Sequence, residues 1–160
     1  MSSREKRVSN QTVNSDHDLI VRTVREFVDR EVLPVASDME RHDTYPEALV
    51  ATMGRLGLFG LNIPEEYGGA DAGYTTFAAV FEELARAWLG LSGILATHLV
   101  LCDILKSFGT PEQKQRFLPV LAYGEARGAL CLSETEAGSD LQSLRTTATR
   151  DGDVYRINGS

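Results

Sequence analysis

Residues 92–113 read SGILATHLVLCDILKSFGTPEQ, and the fold turns on this stretch. Ser92 to Phe108 is apolar nearly all round, the pattern of a helix at the buried centre of a bundle. Gly109 stands where a helix takes its C′ residue. Thr110, Pro111 and Gln113 then occupy the N-cap, N1 and N3 positions of a new helix, the strongest start signal in the chain. That helix carries Phe117, Leu118, Val120 and Leu121 and ends near Gly124. Two helices joined by so short a link make this part of the chain α-helical.

Towards the N-terminus the helical pattern continues. Thr75 to Ala87 places Phe77, Val80, Phe81 and Leu84 on one face, and Gly60 to Gly73 is a loop. Thr44-Tyr45-Pro46-Glu47 predicts a cap for a helix through Leu49, Met53 and Leu56, stopped by Gly57. Ser15-Asp16-His17-Asp18 has the form of a capping box. Ile20, Val24, Phe27, Val28 and Val32 follow at helical spacing until Pro34 bends or ends the run.

Towards the C-terminus the period changes. Ala129 to Leu132 is a short apolar run expected to be a strand, and Leu144 to Thr149 is threonine-rich. Asp151 to Asp153 predicts a turn and Val154 to Ile157 a second strand. Asn158-Gly159 begins another hairpin turn, so the sequence looks cut in mid-fold. The fold class is therefore mainly α. Residues 1–14 are expected as a disordered tail, 15–125 as an all-α domain, and 126–160 as the beginning of a β domain.

The 160 residues are 42% hydrophobic and 24% charged, ordinary for a globular domain. Sixteen basic against 23 acidic side chains give a net charge of −7, which argues against a nucleic-acid or anionic-membrane binder. Leu89 to Phe108 is interrupted by His98, Asp103 and Lys106, so no membrane insertion is expected. Met1 to Asn14 lacks the apolar run of a secretory signal and is too short and flat for a mitochondrial presequence. Cys102 and Cys131 stand too far apart for a CxxC pair and suit a reducing interior. A bacterial cytoplasm is expected rather than a mitochondrial matrix.

Several familiar chemistries are missing: no P-loop, no G-x-G-x-x-G after a strand, no H-E-x-x-H and no G-x-S-x-G. Gly54, Gly57 and Gly60 have the wrong spacing to cradle phosphate. His98 is expected as a hydrogen-bonded core histidine and not a metal ligand, since no second ligand stands nearby. Trp88 is expected to pack at a helix end, and Glu82-Glu83 to be a solvated face.

One stretch resists so plain a reading: Cys131-Leu132-Ser133-Glu134-Thr135-Glu136-Ala137-Gly138-Ser139-Asp140. It offers hydroxyl donors at Ser133 and Ser139, and a glycine that lets a ligand approach the backbone. Glu134, Glu136 and Asp140 are candidate acid–base groups. A surface turn capped by serines is the alternative on these grounds.

This segment resembles the flavin-binding signature of the acyl-CoA dehydrogenase family: a small residue, an apolar one, Ser or Thr, Glu, two variable positions, a small residue, then Gly-Ser-Asp. Ile63–Gly69 (IPEEYGG), Phe81–Ala85 (FEELA) and Phe108–Leu118 (FGTPEQKQRFL) resemble landmarks of the same family in the same order. Leu144–Ala148 followed by Gly152–Ser160 resembles its next β segment. The likeness covers about residues 16–160.

The resemblance implies an N-terminal helical domain followed by the first strands of a β-barrel domain, in an enzyme that oxidises acyl-CoA thioesters to trans-2-enoyl-CoA with FAD. It implies electron-transfer flavoprotein as electron acceptor and a homodimer or homotetramer. Ser133 takes the family's Ser/Thr position, whose hydroxyl hydrogen-bonds the flavin near N5. Leu130, Cys131 and Leu132 would lie along the flavin, while Gly138 and Ser139 would meet the FAD diphosphate, with Ser139 also near the CoA portion of the substrate. The helix from Ser92 to Phe108 resembles the wall of the acyl tunnel.

Thr135 departs from the proline frequent in the family, and Leu130 from a frequent aromatic. No catalytic residue is expected in this chain, because the family's base lies in a C-terminal bundle. In the family Glu134 belongs to the signature's architecture and not to proton abstraction. Acyl-CoA oxidases, nitroalkane oxidases and flavin monooxygenases share the fold, and a non-catalytic helical module is the alternative of a different class.

Overall fold

The computed structural model describes residues 16–159. The segment expected as a disordered tail and the cap at Ser15 lie outside the described residues. The chain divides into two compact units between Ala129 and Leu130.

In the first unit, the run that begins near Ile20 does not end at Pro34. Residues 16–27 form α1, Val28–Val32 winds as one π-turn, and α2 (Leu33–Arg41) continues from it. Proline has no N–H for the carbonyl four residues back, and its ring crowds that carbonyl. The wider turn, in which the Leu33 N–H donates to the Val28 carbonyl, absorbs the misfit.

α3 (Glu47–Arg55) starts later than the Thr44 cap predicts. Pro46 is its N-cap residue, and the Thr44 hydroxyl donates instead to the His42 carbonyl at 3.5 Å. Proline has no side-chain acceptor, so the helix starts without a side-chain cap, and the Glu47 N–H donates to the Tyr45 carbonyl at 3.0 Å. Gly57, with φ at +73°, ends the helix where expected.

The following loop closes on itself. Ala70, Asp71 and Ala72 donate their N–H groups to the carbonyls of Gly60, Ile63 and Leu61 at 2.8–2.9 Å. A Cβ at Gly69 would be driven into the Ile63 backbone, so only glycine fits that close approach.

α4 (Tyr74–Ala87) buries Val80 and Leu84, with Phe77 and Phe81 stacked at 4.5 Å. Trp88 separates it from α5 (Leu89–Phe108) and packs at the helix junction, its ring N–H donating to Glu40. α6 (Pro111–Ala122) carries the predicted capping box in full. The Gln113 N–H donates to the Thr110 hydroxyl at 3.3 Å, and the Thr110 N–H to the Gln113 side chain at 2.9 Å.

Two hydrophobic clusters result. The larger joins Val24, Phe27 and Val32 to Met53, Phe59, Val80 and Leu84; the smaller joins Ile63, Leu118, Leu121 and Ala122. α5 serves both, with Leu91, Leu95 and Leu99 in the first and Cys102 in the second. Burial holds the Cys102 thiol protonated, its pKa pushed up to about 12.

α5 is a wall and not the fully buried centre that its composition predicts. Leu89, Val100, Ile104 and Phe108 are exposed. Nor do His98, Asp103 and Lys106 break it as an apolar span, since by length and composition it could cross a membrane, with mean hydropathy 1.5. Leu91, Leu95 and Leu99 pack into the bundle, and Lys106 pairs with Asp103 at 2.7 Å. Gly109 is extended (φ −68°, ψ 148°) and not left-handed; a Cβ there would stand 2.5 Å from the Leu105 carbonyl oxygen.

The expectation of a solvated Glu82-Glu83 face fails at Glu83, which is 8% exposed. Its carboxylate accepts from Arg25 at 2.6 and 2.8 Å and from Arg86 at 3.1 Å, and Arg86 also reaches Asp29 at 2.7 Å. Helical periodicity does not record cross-element ion pairs. This one ties α4 to α1 and the π-turn.

Ala129, at the end of the first unit, and Leu130 to Leu132, at the start of the second, form no strand, because no described segment pairs with their backbone. β1 (Thr147–Asp151) and β2 (Val154–Asn158) form an antiparallel hairpin in register from Thr147 opposite Asn158 to Asp151 opposite Val154. Val154–Ile157 thus finds its partner upstream. The two-residue loop takes φ of +62° at Gly152, a conformation without penalty for glycine.

The Glu83 cluster predicts an acid response. Hydrogen bonds from Arg25, before all else, hold the Glu83 carboxyl below its ordinary pKa. A carboxyl lowered on folding adds stability that is fully present above its unfolded pKa, about 4.3, and is lost as pH falls through the folded value. Glu83→Gln is expected to lower the urea midpoint at neutral pH and to flatten its decline below about pH 4.3. Equal acid slopes in the two proteins would reject this assignment.

Candidate functional site

The site is best built from Glu134 outward. The chain arrives through Leu130, Cys131, Leu132 and Ser133, outside any helix or strand, with Leu130 half-buried and the other three exposed. At Glu134 it folds into a tight turn. The Glu134 N–H donates to the Ala137 carbonyl at 2.8 Å and the Ala137 N–H returns to the Glu134 carbonyl at 3.2 Å. Ala137, 3% exposed, is the buried foot of this turn.

The Glu134 carboxylate ties the turn to the start of the hairpin. It accepts the N–H groups of Arg145 and Thr146 at 2.7 and 2.8 Å, and the Thr146 hydroxyl as well. These donors hold its pKa below the ordinary carboxylate range, the Thr146 hydroxyl foremost. Hydrogen bonds to the charged form lower a pKa because protonation forfeits them. A carboxylate so engaged is a brace for the backbone and a poor proton acceptor at neutral pH.

Asp140 plays a similar local part. It accepts the Gln142 N–H at 3.2 Å and the Ser143 hydroxyl, capping the short 3₁₀ turn Leu141–Ser143. Two of the three candidate acid–base groups are thus engaged within the loop, while Glu136 lies exposed.

What remains open is donor chemistry. Ser133 and Ser139 are exposed, and among the described residues neither hydroxyl has a hydrogen-bond partner. The N–H groups of Leu130 to Ser133 are likewise without backbone partners there. A Cβ built on Gly138 would meet nothing within 4 Å, so the backbone at the bend is open to close approach. Free amides, two hydroxyls and an uncovered glycine suit a ligand rich in acceptor oxygens and nitrogens, and FAD with its diphosphate meets that description.

Sequence pattern missed the partners of this loop. Arg145 and Thr146 stand 11 and 12 residues from Glu134 and take part through backbone atoms, which no side-chain periodicity reveals. The threonine-rich character of Leu144–Thr149 was the available signal, and it pointed only to a strand.

His98 is a hydrogen-bonded core residue as expected, 1% exposed, with Nε2 3.2 Å from the Phe59 carbonyl oxygen. Among the described residues no group of three His, Cys, Asp or Glu side chains could hold a metal. A cleft of about 420 Å³ in the helical unit is lined by Arg55, Phe59, Tyr123 and Arg127 with Glu47 and Glu125. Its charges oppose one another and favour no single ligand.

Residues 14–125 match the family model described as acyl-CoA dehydrogenase, N-terminal domain, and the loop at 130–140 follows directly on that match. An acyl-CoA dehydrogenase of Bacillus subtilis is 38% identical over 149 residues, covering 92% of this chain and 39% of its own. The solved acyl-CoA dehydrogenase from Geobacillus kaustophilus superposes with a TM-score of 0.81 at 35% identity, over 90% of this chain and 38% of its own. That from Bacillus anthracis, solved in complex with FAD, gives a TM-score of 0.78 at 35% identity, over 91% and 25%. The chain therefore spans well under half the length of these relatives. A matched model over most of the chain and a shared fold leave one conclusion: the chain belongs to the acyl-CoA dehydrogenase family and carries that family's N-terminal helical domain.

Proposed function

We propose that this chain supplies the helical domain, residues 15–125, and the opening of the middle β domain, residues 126–160, of an FAD-dependent acyl-CoA dehydrogenase. The reaction is oxidation of an acyl-CoA thioester to trans-2-enoyl-CoA, with electrons passing to an electron-transfer flavoprotein. The observation that carries this is the loop 130–140, whose carboxylates Glu134 and Asp140 are spent on backbone N–H groups of residues 142–146 while the hydroxyls of Ser133 and Ser139 and the amides of Leu130 to Ser133 stay available. The FAD complex of the Bacillus anthracis relative supports the choice of cofactor. A homo-oligomer in a reducing cytoplasm is part of the same proposal, and two free cysteines suit that compartment.

When bound, FAD supplies the acceptor for the hydride lost from the acyl chain. The chain's own residues bind and orient. The Ser133 hydroxyl would hold the flavin ring as a hydrogen-bond donor at its edge, where a donor favours negative charge. Leu130, Cys131 and Leu132 offer backbone groups along the ring. Gly138 and Ser139 receive the diphosphate, the glycine by its open backbone and the serine by its hydroxyl, and Ser139 extends the same contact to the CoA portion. The exposed stripe Val100, Ile104 and Phe108 of α5 provides apolar wall for an acyl chain. Proton abstraction from Cα is assigned to no residue of this chain.

The test uses the protein expressed from its complete reading frame, loaded with FAD and titrated anaerobically with acyl-CoAs of graded chain length. Loss of flavin absorbance with at least one of them is expected. A protein that takes up FAD yet is bleached by none is a same-fold oxidoreductase of another substrate. One that takes up no FAD is not a flavoenzyme. In the same assay Ser133→Ala is expected to slow bleaching by about tenfold to a hundredfold, the usual cost of one donor at a developing charge or somewhat less.

Glu134→Gln separates bracing from proton abstraction. One acceptor oxygen is replaced by an N–H donor facing another N–H, so FAD affinity is expected to fall by about tenfold, the scale of one charge-assisted hydrogen bond. Were Glu134 the base, the bleaching rate at saturating FAD would instead fall by about 10² to 10⁴. Stopped-flow measurement across FAD concentrations distinguishes the two.

A further inference from the structure

After α6 the chain crosses the helical unit at residues 123–128 before it enters the loop. Two glycines mark the crossing. A Cβ at Gly124 would stand 2.6 Å from the Phe59 ring, and one at Gly128 would collide with the Leu101 side chain. Phe59 and His98 lie edge to face beneath the crossing, with ring centroids 4.9 Å apart at 67°. The Gly128 N–H donates to His98 Nδ1 at 3.3 Å, while His98 Nε2 faces the Phe59 carbonyl oxygen at 3.2 Å. Arg127, between the two contacts, donates to the Tyr45 hydroxyl at 2.7 Å.

These partners determine the state of the imidazole. A carbonyl only accepts, so Nε2 carries the hydrogen; an amide N–H only donates, so Nδ1 carries none. Burial favours the same neutral form, and holds the His98 pKa below its ordinary value. α5 therefore seats the crossing twice, by the His98 nitrogen and, one turn on, by the Leu101 side chain packed where Gly128 has no Cβ.

We propose that His98 is a positioning residue for the flavin-binding segment: it fixes the chain at Gly128, two residues before Leu130. The proposal rests on the flavin reading of residues 130–140. Two residues of chain span at most about 7 Å, so the bond at Gly128 limits where Leu130 can begin. A displacement of about 1 Å at a reacting geometry can cost as much as a hundredfold. His98 touches neither ligand nor loop itself and acts through the backbone of Gly128.

Two substitutions split its two bonds. His98→Asn sets an amide oxygen near the place of Nδ1, keeping the Gly128 bond and losing the one to Phe59. His98→Gln reaches the place of Nε2, keeping the Phe59 bond and losing the one to Gly128. Each gives up one buried hydrogen bond, so both should lower the urea midpoint comparably. In the protein expressed from its complete reading frame, FAD affinity is expected to fall by about tenfold in the Gln variant and less than about threefold in the Asn variant. Amide exchange across residues 124–130 should speed up in the Gln variant alone.

Gly128→Ala leaves the core histidine in place and is expected to match the Gln variant in FAD affinity. Equal affinities in the Asn and Gln variants, a larger loss in the Asn variant, or an unaffected Gly128→Ala protein would each overturn the proposal. Uptake of no FAD by the unmodified protein would instead sink the flavin reading, and the proposal's ligand with it. Amide exchange would then still report whether His98 holds Gly128.

Discussion

The first unit is organised by the buried face of α5. Leu91, Leu95 and Leu99 fill one cluster and Cys102 the other, so a single helix is the shared wall of both. Each such side chain, moved from water to a packed interior, contributes about 1.5–3 kcal/mol, and dispersion contacts with both neighbours add to that. The same face also anchors polar groups that a purely apolar wall would strand. Asn62 donates to the Leu99 carbonyl at 2.9 Å, Lys106 donates to the Asn62 carbonyl at 2.8 Å, and His98 receives Gly128. The loops on either side of α5 are thereby registered against one rigid element.

The second unit works on the opposite principle. Apart from Ala137 it buries little: Val154, Tyr155 and Ile157 of β2 are all exposed. Shape in residues 133–146 comes instead from hydrogen bonds to two carboxylates, one bracing the turn to the hairpin and one capping the 3₁₀ turn. Charge-assisted bonds from backbone N–H groups are among the stronger ones available to a chain without a core. They also leave the hydroxyls of Ser133 and Ser139 unspent. A loop stabilised by apolar packing would have covered the surface a ligand needs.

How much of this was legible depends on the range of the interaction. Local chemistry was readable: the Thr110–Gln113 capping box, the stop at Gly57 and the turn at Gly152 each depend on residues within a few positions. Side-chain periodicity found α4 and α6. It failed where the decisive partner is distant or is backbone. Composition alone makes α5 a buried centre, yet Val100, Ile104 and Phe108 are exposed, because apolar content does not say how many neighbours a helix has. Glu83 looks solvated until Arg25, 58 residues away, folds against it. The apolar run at 129–132 has strand chemistry, but a strand is a property of two segments. In the loop, Ser133, Gly138 and Ser139 were marked by resemblance and by their chemistry, whereas the brace to Arg145 and Thr146 was invisible because its donors are amides that every residue has.

That brace also bears on how the proposed reaction is divided. Removing a proton from carbon calls for a carboxylate whose pKa is held up, close to the pH of use, by exclusion of water and a shortage of donors. Among the described residues the carboxylates with displaced pKa values, Glu83, Glu112 and Glu134, are all displaced downward, each by hydrogen bonds to its charged form. Such groups are built to stay ionised and to hold other atoms in place. A ring that accepts hydride is served instead by a neutral donor beside open backbone, the part that the proposed function gives to Ser133 and Gly138. On the proposed reading, then, the physical chemistry of this chain suits one half of the oxidation, reception and orientation of the hydride acceptor. The half that takes the proton needs a carboxylate of a different character from those displaced here.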